Sequence, residues 1–211
     1  MADRERVAPP ASREATTTPG IQAPVIADPG PLGLAAFALT TFVLSMINAG
    51  LVDKTAEPVV LGLALAYGGI GQLLAGMWEF RKGNTFGATA FSSYGAFWIS
   101  FWAFVTFFAK DVPSTEVGAA VGLYLIAWGI FTGYMFIASL RTTAAIALVF
   151  ILLTVTFLLL GFGNAQANDN IVKLGGYVGL ATAIAAWYAS FAGVTNSTFG
   201  RVVMPVKPLA R

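Results

Sequence analysis

The sequence predicts an all-α integral membrane protein, a bundle of six transmembrane helices. Charged residues make up only 10% of the 211 and hydrophobic ones 57%, whereas an ordinary soluble domain is roughly 25% charged. The charges also cluster, leaving six uncharged runs at 29–52, 58–78, 83–109, 117–140, 142–168 and 174–200. Each exceeds the ~20 residues that a helix rising ~1.5 Å per residue needs to cross ~30 Å of hydrocarbon. These runs are continuously apolar, unlike the alternating segments of about 10 residues that build membrane barrels.

The elements follow in order. Residues 1–28, "MADRERVAPPASREATTTPGIQAPVIAD", are rich in Pro, Ala and Thr and lack apolar periodicity, so they read as a disordered tail. No apolar core precedes a cleavage site there, which argues against a signal peptide. One membrane domain, 29–200, follows, with helices expected at about 31–52, 58–80, 87–109, 117–140, 142–162 and 172–196, then a C-terminal tail, 201–211. Small residues recur at four-residue spacing in Gly71/Ala75, Gly118/Gly122, Gly129/Gly133 and Gly175/Gly179. That spacing lets helices approach closely in lipid; it reads first as packing and second as room for a pathway.

Orientation comes from Lys and Arg. The N-terminal tail, the second and fourth inter-helix loops and the C-terminal tail carry Arg4, Arg6, Arg13, Arg81, Lys82, Arg141, Arg201, Lys207 and Arg211; the opposite side carries only Lys54, Lys110 and Lys173. The positive-inside bias places both termini in the cytoplasm of a multi-pass cell (inner or plasma) membrane protein. The net charge of +2 is this topology signal and calls for no nucleic-acid partner.

With no His and no Cys, thiolate chemistry, His-based acid–base catalysis, haem ligation and soft-metal sites drop out. No Lys lies inside a span to activate a Ser nucleophile or to hold a retinal. The sequence therefore predicts no enzyme, no metal and no cofactor.

Polar residues nevertheless occur within the spans: Thr40, Thr41, Asn48, Gln72, Ser100, Thr106, Thr132, Thr154 and Thr156, besides the group Thr85, Thr89, Ser92, Ser93 and Tyr94. A lone Ser or Thr commonly bonds back to its own helix, while Asn and Gln amides must face protein or water. Positions 85, 89, 92 and 93 share one helical face at i, i+4, i+7 and i+8, a polar stripe that reads either as the wall of a solute pathway or as packing. Such a pathway has hydroxyls, amides and rings but no fixed cation. A small anion could be held there by hydroxyls and by backbone N–H groups at helix starts. Two of those starts, "DPGPLGL" (28–34) and "GNTFGA" (83–88), are rich in Gly, and "GLAAF" (33–37) faintly echoes "GATAF" (87–91).

"DPGPLGLAAFALTTF" (28–42), "YGGIGQLLAGMWEFRKGNTFGATAFSSYGAFW" (67–98) and "TFGRVVMP" (198–205) resemble the acetate uptake transporter family, whose bacterial members include the succinate–acetate permeases. The similarity runs in order from about residue 27 to 208, with Asp28 standing where the family's N-P-x-P-L-G-L-x-x-F signature has Asn. The resemblance implies a homohexameric ring of six-helix protomers, each with its own pathway for acetate and, in some members, for succinate or other short-chain acids, moving with or as protons. It also implies a hydrophobic constriction of a Phe, a Tyr and a Leu. The signature's Phe matches Phe37, the Tyr of "SSYG" matches Tyr94, and an ungapped count from Leu140–Arg141 matches Leu153.

Thr40, Thr41, Asn48, Gln72, Thr85, Thr89, Ser92, Ser93 and Thr154 are then expected along the pathway. Glu79, beside Arg81 and Lys82, is either a proton relay or one member of an interfacial ion pair. The expected partners are small carboxylates, protons, the lipid bilayer and further copies of the chain. A small-anion or ammonia channel, and a non-transporting membrane sensor or scaffold, are the competing readings.

Overall fold

The computed structural model describes residues 26–209, so the expected disorder of the tail lies largely outside the described residues. Six helices long and apolar enough to cross a membrane follow one another. Helix α1 is Gly30–Asn48; α2 runs through Pro58–Leu65, a π-helical segment Ala66–Gly71 and Gln72–Lys82; α3 is Thr85–Ala103, continued by a second π segment, Phe104–Phe108, and a 3₁₀ turn, Ala109–Asp111. Val117–Ser139 forms α4, Ala144–Ala165 α5 and Asp169–Phe199 α6. Among the described residues there is no β-strand.

The ends of these helices are set by side chains that hydrophobic runs do not reveal. The first helix stops at Asn48, short of the expected 52, because Gly50 turns left-handed (φ +73°). The third begins at Thr85, where the Asn84 side-chain oxygen Oδ1 accepts from the Gly87 N–H (3.1 Å). The sixth reaches from Asp169 to Phe199, beyond the expected 172–196, since Asn168 caps it by accepting from Asn170 N (3.1 Å) and Ile171 N (3.3 Å). Thr143 caps α5 through the Ile146 N–H. Such caps satisfy amides that a helix start leaves without partners.

Six successive membrane-length helices put both ends of the described residues on one face, here the terminal face, with the loops 49–57, 112–116 and 166–168 on the other. Helix α1 packs along α6, α6 along α5, α5 along α4, and α2 along α3. The small-residue spacing serves several of these seams: Gly118, Gly122 and Gly129 abut α5, and Gly175 and Gly179 abut α5 and α1. Gly71 instead ends the π segment, with only its own helix close by. Helices α3 and α4 hardly meet through their backbones. Their gap is filled by rings: Phe97 stacks on Tyr124 (5.6 Å between centroids) and meets Trp128 edge-on (5.3 Å).

Large apolar side chains point outward, as in Leu123, Ile130 and Ile137, spaced seven apart on α4 and about two-thirds exposed. That is the surface lipid requires. After Gly200 the chain returns over the terminal face. Asn196 bonds Val203 N (2.7 Å) and Met204 N (2.8 Å), Tyr188 donates to the Pro205 carbonyl (2.6 Å), and the Ala144 N–H donates to the Lys207 carbonyl (2.8 Å).

Candidate functional site

On α1, Phe37, Thr41, Ser45 and Asn48 follow one another at i, i+4, i+8 and i+11 and face a cavity of about 1000 Å³. Leu153, Thr156 and Asn164 of α5 line it from a second side, and Phe97, Trp98 and Phe101 of α3, with Tyr124 of α4, from a third. It reaches the loop face, where Lys54, Glu57 and Asp169 surround its mouth. Lys54 Nζ and Asp169 Oδ1 stand 3.4 Å apart there, both well exposed, so their pairing is weak. Just outside, the Thr55 hydroxyl and then its backbone N–H bond Asp53 and hold that carboxyl below the usual carboxylate range.

Toward the terminal face, Phe37 and Leu153 separate this cavity from a second one of only about 20 Å³, room for roughly one water. Phe37, Tyr94 and Leu153 all line the small cavity, together with Leu34, Phe91 and Phe150. The Phe37 and Tyr94 rings lie 5.8 Å apart. The Tyr94 phenol points away, donating to Thr132 Oγ1 of α4 (3.0 Å), and Thr132 donates to the Trp128 carbonyl (2.7 Å). What faces the small cavity here is therefore the edges and faces of rings.

Two residues that line the large cavity carry buried donors without partners: Thr41 Oγ1 and Trp98 Nε1 bond nothing in the protein. The contrast within the bundle is informative, because Thr40, Thr132, Thr154, Thr156 and Thr182 all donate to the carbonyl four residues back. Thr41 does not. A buried donor left unpaired costs about 1–3 kcal/mol, which sets these two side chains apart from the others. Gln72 Oε1, at the small cavity, is likewise unpartnered.

The expected pathway residues divide. Thr41 and Asn48 line the large cavity and Gln72 the small one. Thr40, Thr85, Thr89, Ser92, Ser93 and Thr154 line neither. Thr40 packs on Gly68 in the π segment, Thr154 bonds the Phe150 carbonyl, and Thr85 is exposed at the start of α3. Ser92 lies against Gly76 of α2, its backbone N 2.6 Å from where a Cβ would sit. Of the polar stripe, Ser92 thus turns to α2, while the aromatic face of α3 turns to the cavities. Ser45, Thr156, Trp98 and Asn164 line the large cavity without having been singled out as pathway residues. For Ser45 a signal existed, since Thr41, Ser45 and Asn48 form their own stripe at i, i+4 and i+7.

Glu79 is buried in the last turn of α2, 1% exposed. The ion-pair alternative fails: Lys82 bonds Asp28 instead (2.8 Å), and no cation lies within 4 Å of Glu79 among the described residues. Its Oε2 accepts from Asn84 Nδ2 (2.8 Å).

The GPR1/FUN34/yaaH family model matches residues 14–211. The chain is 47% identical over 201 residues to acetate permease A of Emericella nidulans, covering 88% of this chain and 67% of that protein. It is 39% identical over 181 residues to the succinate-acetate/proton symporter SatP of Escherichia coli, covering 86% of this chain and 95% of SatP. A solved structure of the bacterial acetate channel SatP matches with a TM-score of 0.81 at 38% identity, over 86% of this chain and 99% of that one.

Proposed function

We propose, from the premise that this chain belongs to the GPR1/FUN34/yaaH family, that it carries acetate and related small carboxylates across a membrane, with or as protons. The passage runs down the large cavity, through the Phe37–Tyr94–Leu153 constriction, and out at the terminal face. That face is cytoplasmic in this reading, because it carries nine of the twelve Lys and Arg residues. The homohexameric ring, with one passage in each protomer, belongs to the same proposal and is tested by native mass measurement in detergent.

The observation that carries the reading is that Phe37 and Leu153 close a wide, partly polar vestibule against a space of one-water size. A bare carboxylate crossing there exchanges its hydration for hydrocarbon, at several kcal/mol even after relaxation. Neutralising a small acid with a carboxyl pKa near ~4 at pH 7 costs about 4 kcal/mol, at ~1.4 kcal/mol per unit. The neutral form is therefore the cheaper or equal passenger.

The test is uptake of labelled acetate into proteoliposomes at inside pH 7 and outside pH 6 or 7, with protein-free vesicles subtracted. Wild-type uptake is expected to exceed the background, to be competed by succinate, and to change in the Phe37→Ala/Tyr94→Ala pair. Absence of uptake by folded protein refutes the carboxylate reading, and ammonium flux without acetate competition would move the assignment to an ammonia channel.

A further inference from the structure

Glu79 is the one fully buried carboxylate of the bundle among the described residues, and the passage above gives it nothing to do. Its position is specific. On α2, Gln72 lines the small cavity, and Glu79 follows seven residues later on the same buried face. On α1, Gly30 precedes Phe37 by seven residues; on α3, Gly87 precedes Tyr94 by seven. Two helical turns are about 10 Å, so Gly30, Gly87 and Glu79 form one layer about 10 Å beyond the constriction, toward the terminal face. The side chains meet there: a Cβ on Gly87 would lie 3.0 Å from Glu79 Oε1, and one on Gly30 3.5 Å. Leu34 and Phe91, which line the small cavity, fall between that layer and the Phe37–Tyr94 rings along α1 and α3.

The charged groups facing Glu79 are few. Asp28, ahead of α1, and Lys82, on α2, pair with each other at 2.8 Å. Helix α3 contributes Asn84 and Gly87, which are neutral. One hydrogen bond, with the Lys82 ammonium beyond 4 Å and paired to Asp28, leaves the carboxylate poorly compensated for its burial. A merely structural anchor between two helix starts would need only an acceptor of this shape.

We infer that Glu79 is the internal proton acceptor of the passage, receiving the proton from a carboxylic acid that has crossed the constriction in neutral form. The inference rests on the carboxylate-transport reading. In the step, the O–H bond of R–COOH breaks and an O–H bond forms on Glu79, giving R–COO⁻ and Glu79–COOH. The protonated Glu79 then releases its proton to water at the exposed Gly83–Asn84 turn, and both steps reverse for export. Donor and acceptor are the same chemical group, so the transfer is close to balanced.

Glu79→Gln keeps the shape and the acceptor for Asn84 but cannot bind and release a proton. With ¹³C-labelled acetate, infrared difference spectra separate the substrate's own carboxyl bands from those of the protein. Wild type is expected to gain a protonated side-chain carboxyl band on acetate addition, and Glu79→Gln to lack it. In proteoliposomes, wild-type uptake is expected to titrate with the pH on the terminal face. Glu79→Gln is expected to be about tenfold slower with that titration lost, and Glu79→Asp to retain it.

Persistence of the carboxyl band or of the pH step in Glu79→Gln overturns the inference. So does a wild type that binds acetate without gaining the band, because the substrate then keeps its own proton. A wild type showing neither substrate bands nor uptake instead overturns carboxylate transport itself.

Discussion

Tyr94 and Thr132 offer a test in which the two halves of one hydrogen bond have unequal value. Tyr94 is 3% exposed and Thr132 fully buried; the phenol donates to Thr132 Oγ1 at 3.0 Å, and Thr132 donates onward to the Trp128 carbonyl at 2.7 Å. Tyr94→Phe removes the phenol but leaves the Thr132 donor satisfied by Trp128, so its expected cost is that of one net hydrogen bond, about 1 kcal/mol. Thr132→Val keeps the volume but strands the phenol in a nest of rings, Phe37, Trp128, Phe131 and Phe150, none of which offers an oxygen. A stranded buried donor costs about 1–3 kcal/mol beyond the lost bond. Thr132→Val is therefore expected to be the more destabilising by about 1–2 kcal/mol, and the double substitution to recover part of that loss, because both polar partners then leave together. Unfolding in mixed micelles titrated with dodecyl sulfate, followed by circular dichroism, measures the order. A Tyr94→Phe variant as costly as Thr132→Val, or a double variant worse than either, would refute this account of the phenol. Labelled acetate uptake is a second check, since Tyr94→Phe keeps the ring and should keep uptake within about threefold, a span worth under ~1 kcal/mol.

Two further outcomes are expected. Gly76→Ala places a methyl 2.6 Å from the Ser92 backbone N; helices α2 and α3 must separate, at about 1–3 kcal/mol, read as a lowered melting temperature in detergent. Asp28→Asn retains the acceptor for the Gly30 N–H (2.9 Å) and loses only the half-exposed pair with Lys82. It should cost under ~1 kcal/mol and less as salt is raised, in the same melting assay across a sodium chloride series.

Much of the architecture is legible because lipid imposes a coarse rule: long uncharged runs become spans, and six of them do so here. The helix ends are less legible, since they depend on Asn84, Thr143, Asn168 and the left-handed Gly50 rather than on hydropathy. Phe37, Tyr94 and Leu153 meet at one small cavity, a convergence of three distant segments that no spacing within one helix encodes; the resemblance to a family supplied it. Periodicity groups Thr85, Thr89, Ser92 and Ser93 on one face of α3 but does not name the neighbour of that face. For Ser92 the neighbour is α2, where Gly76 lacks the side chain that would keep it away. Trp98 escaped notice because an indole in an apolar run usually reads as packing, and only the absence of a partner for its N–H marks it out.

The return of the chain over the terminal face has a consequence for biogenesis. The Ala144 N–H at the start of α5 is met by the Lys207 carbonyl, and Leu209 N donates to the Thr142 carbonyl. That turn is thus completed by a stretch synthesised only after the whole of α6. While the nascent chain is being inserted, the fourth and fifth helices enter the bilayer with their connecting turn still open to water, and α6 must arrive before it closes. The order of assembly is written into the fold: the hairpin comes first, its fastening comes afterwards, and a ribosome stalled within α6 would hold a bundle whose terminal face is still unfastened.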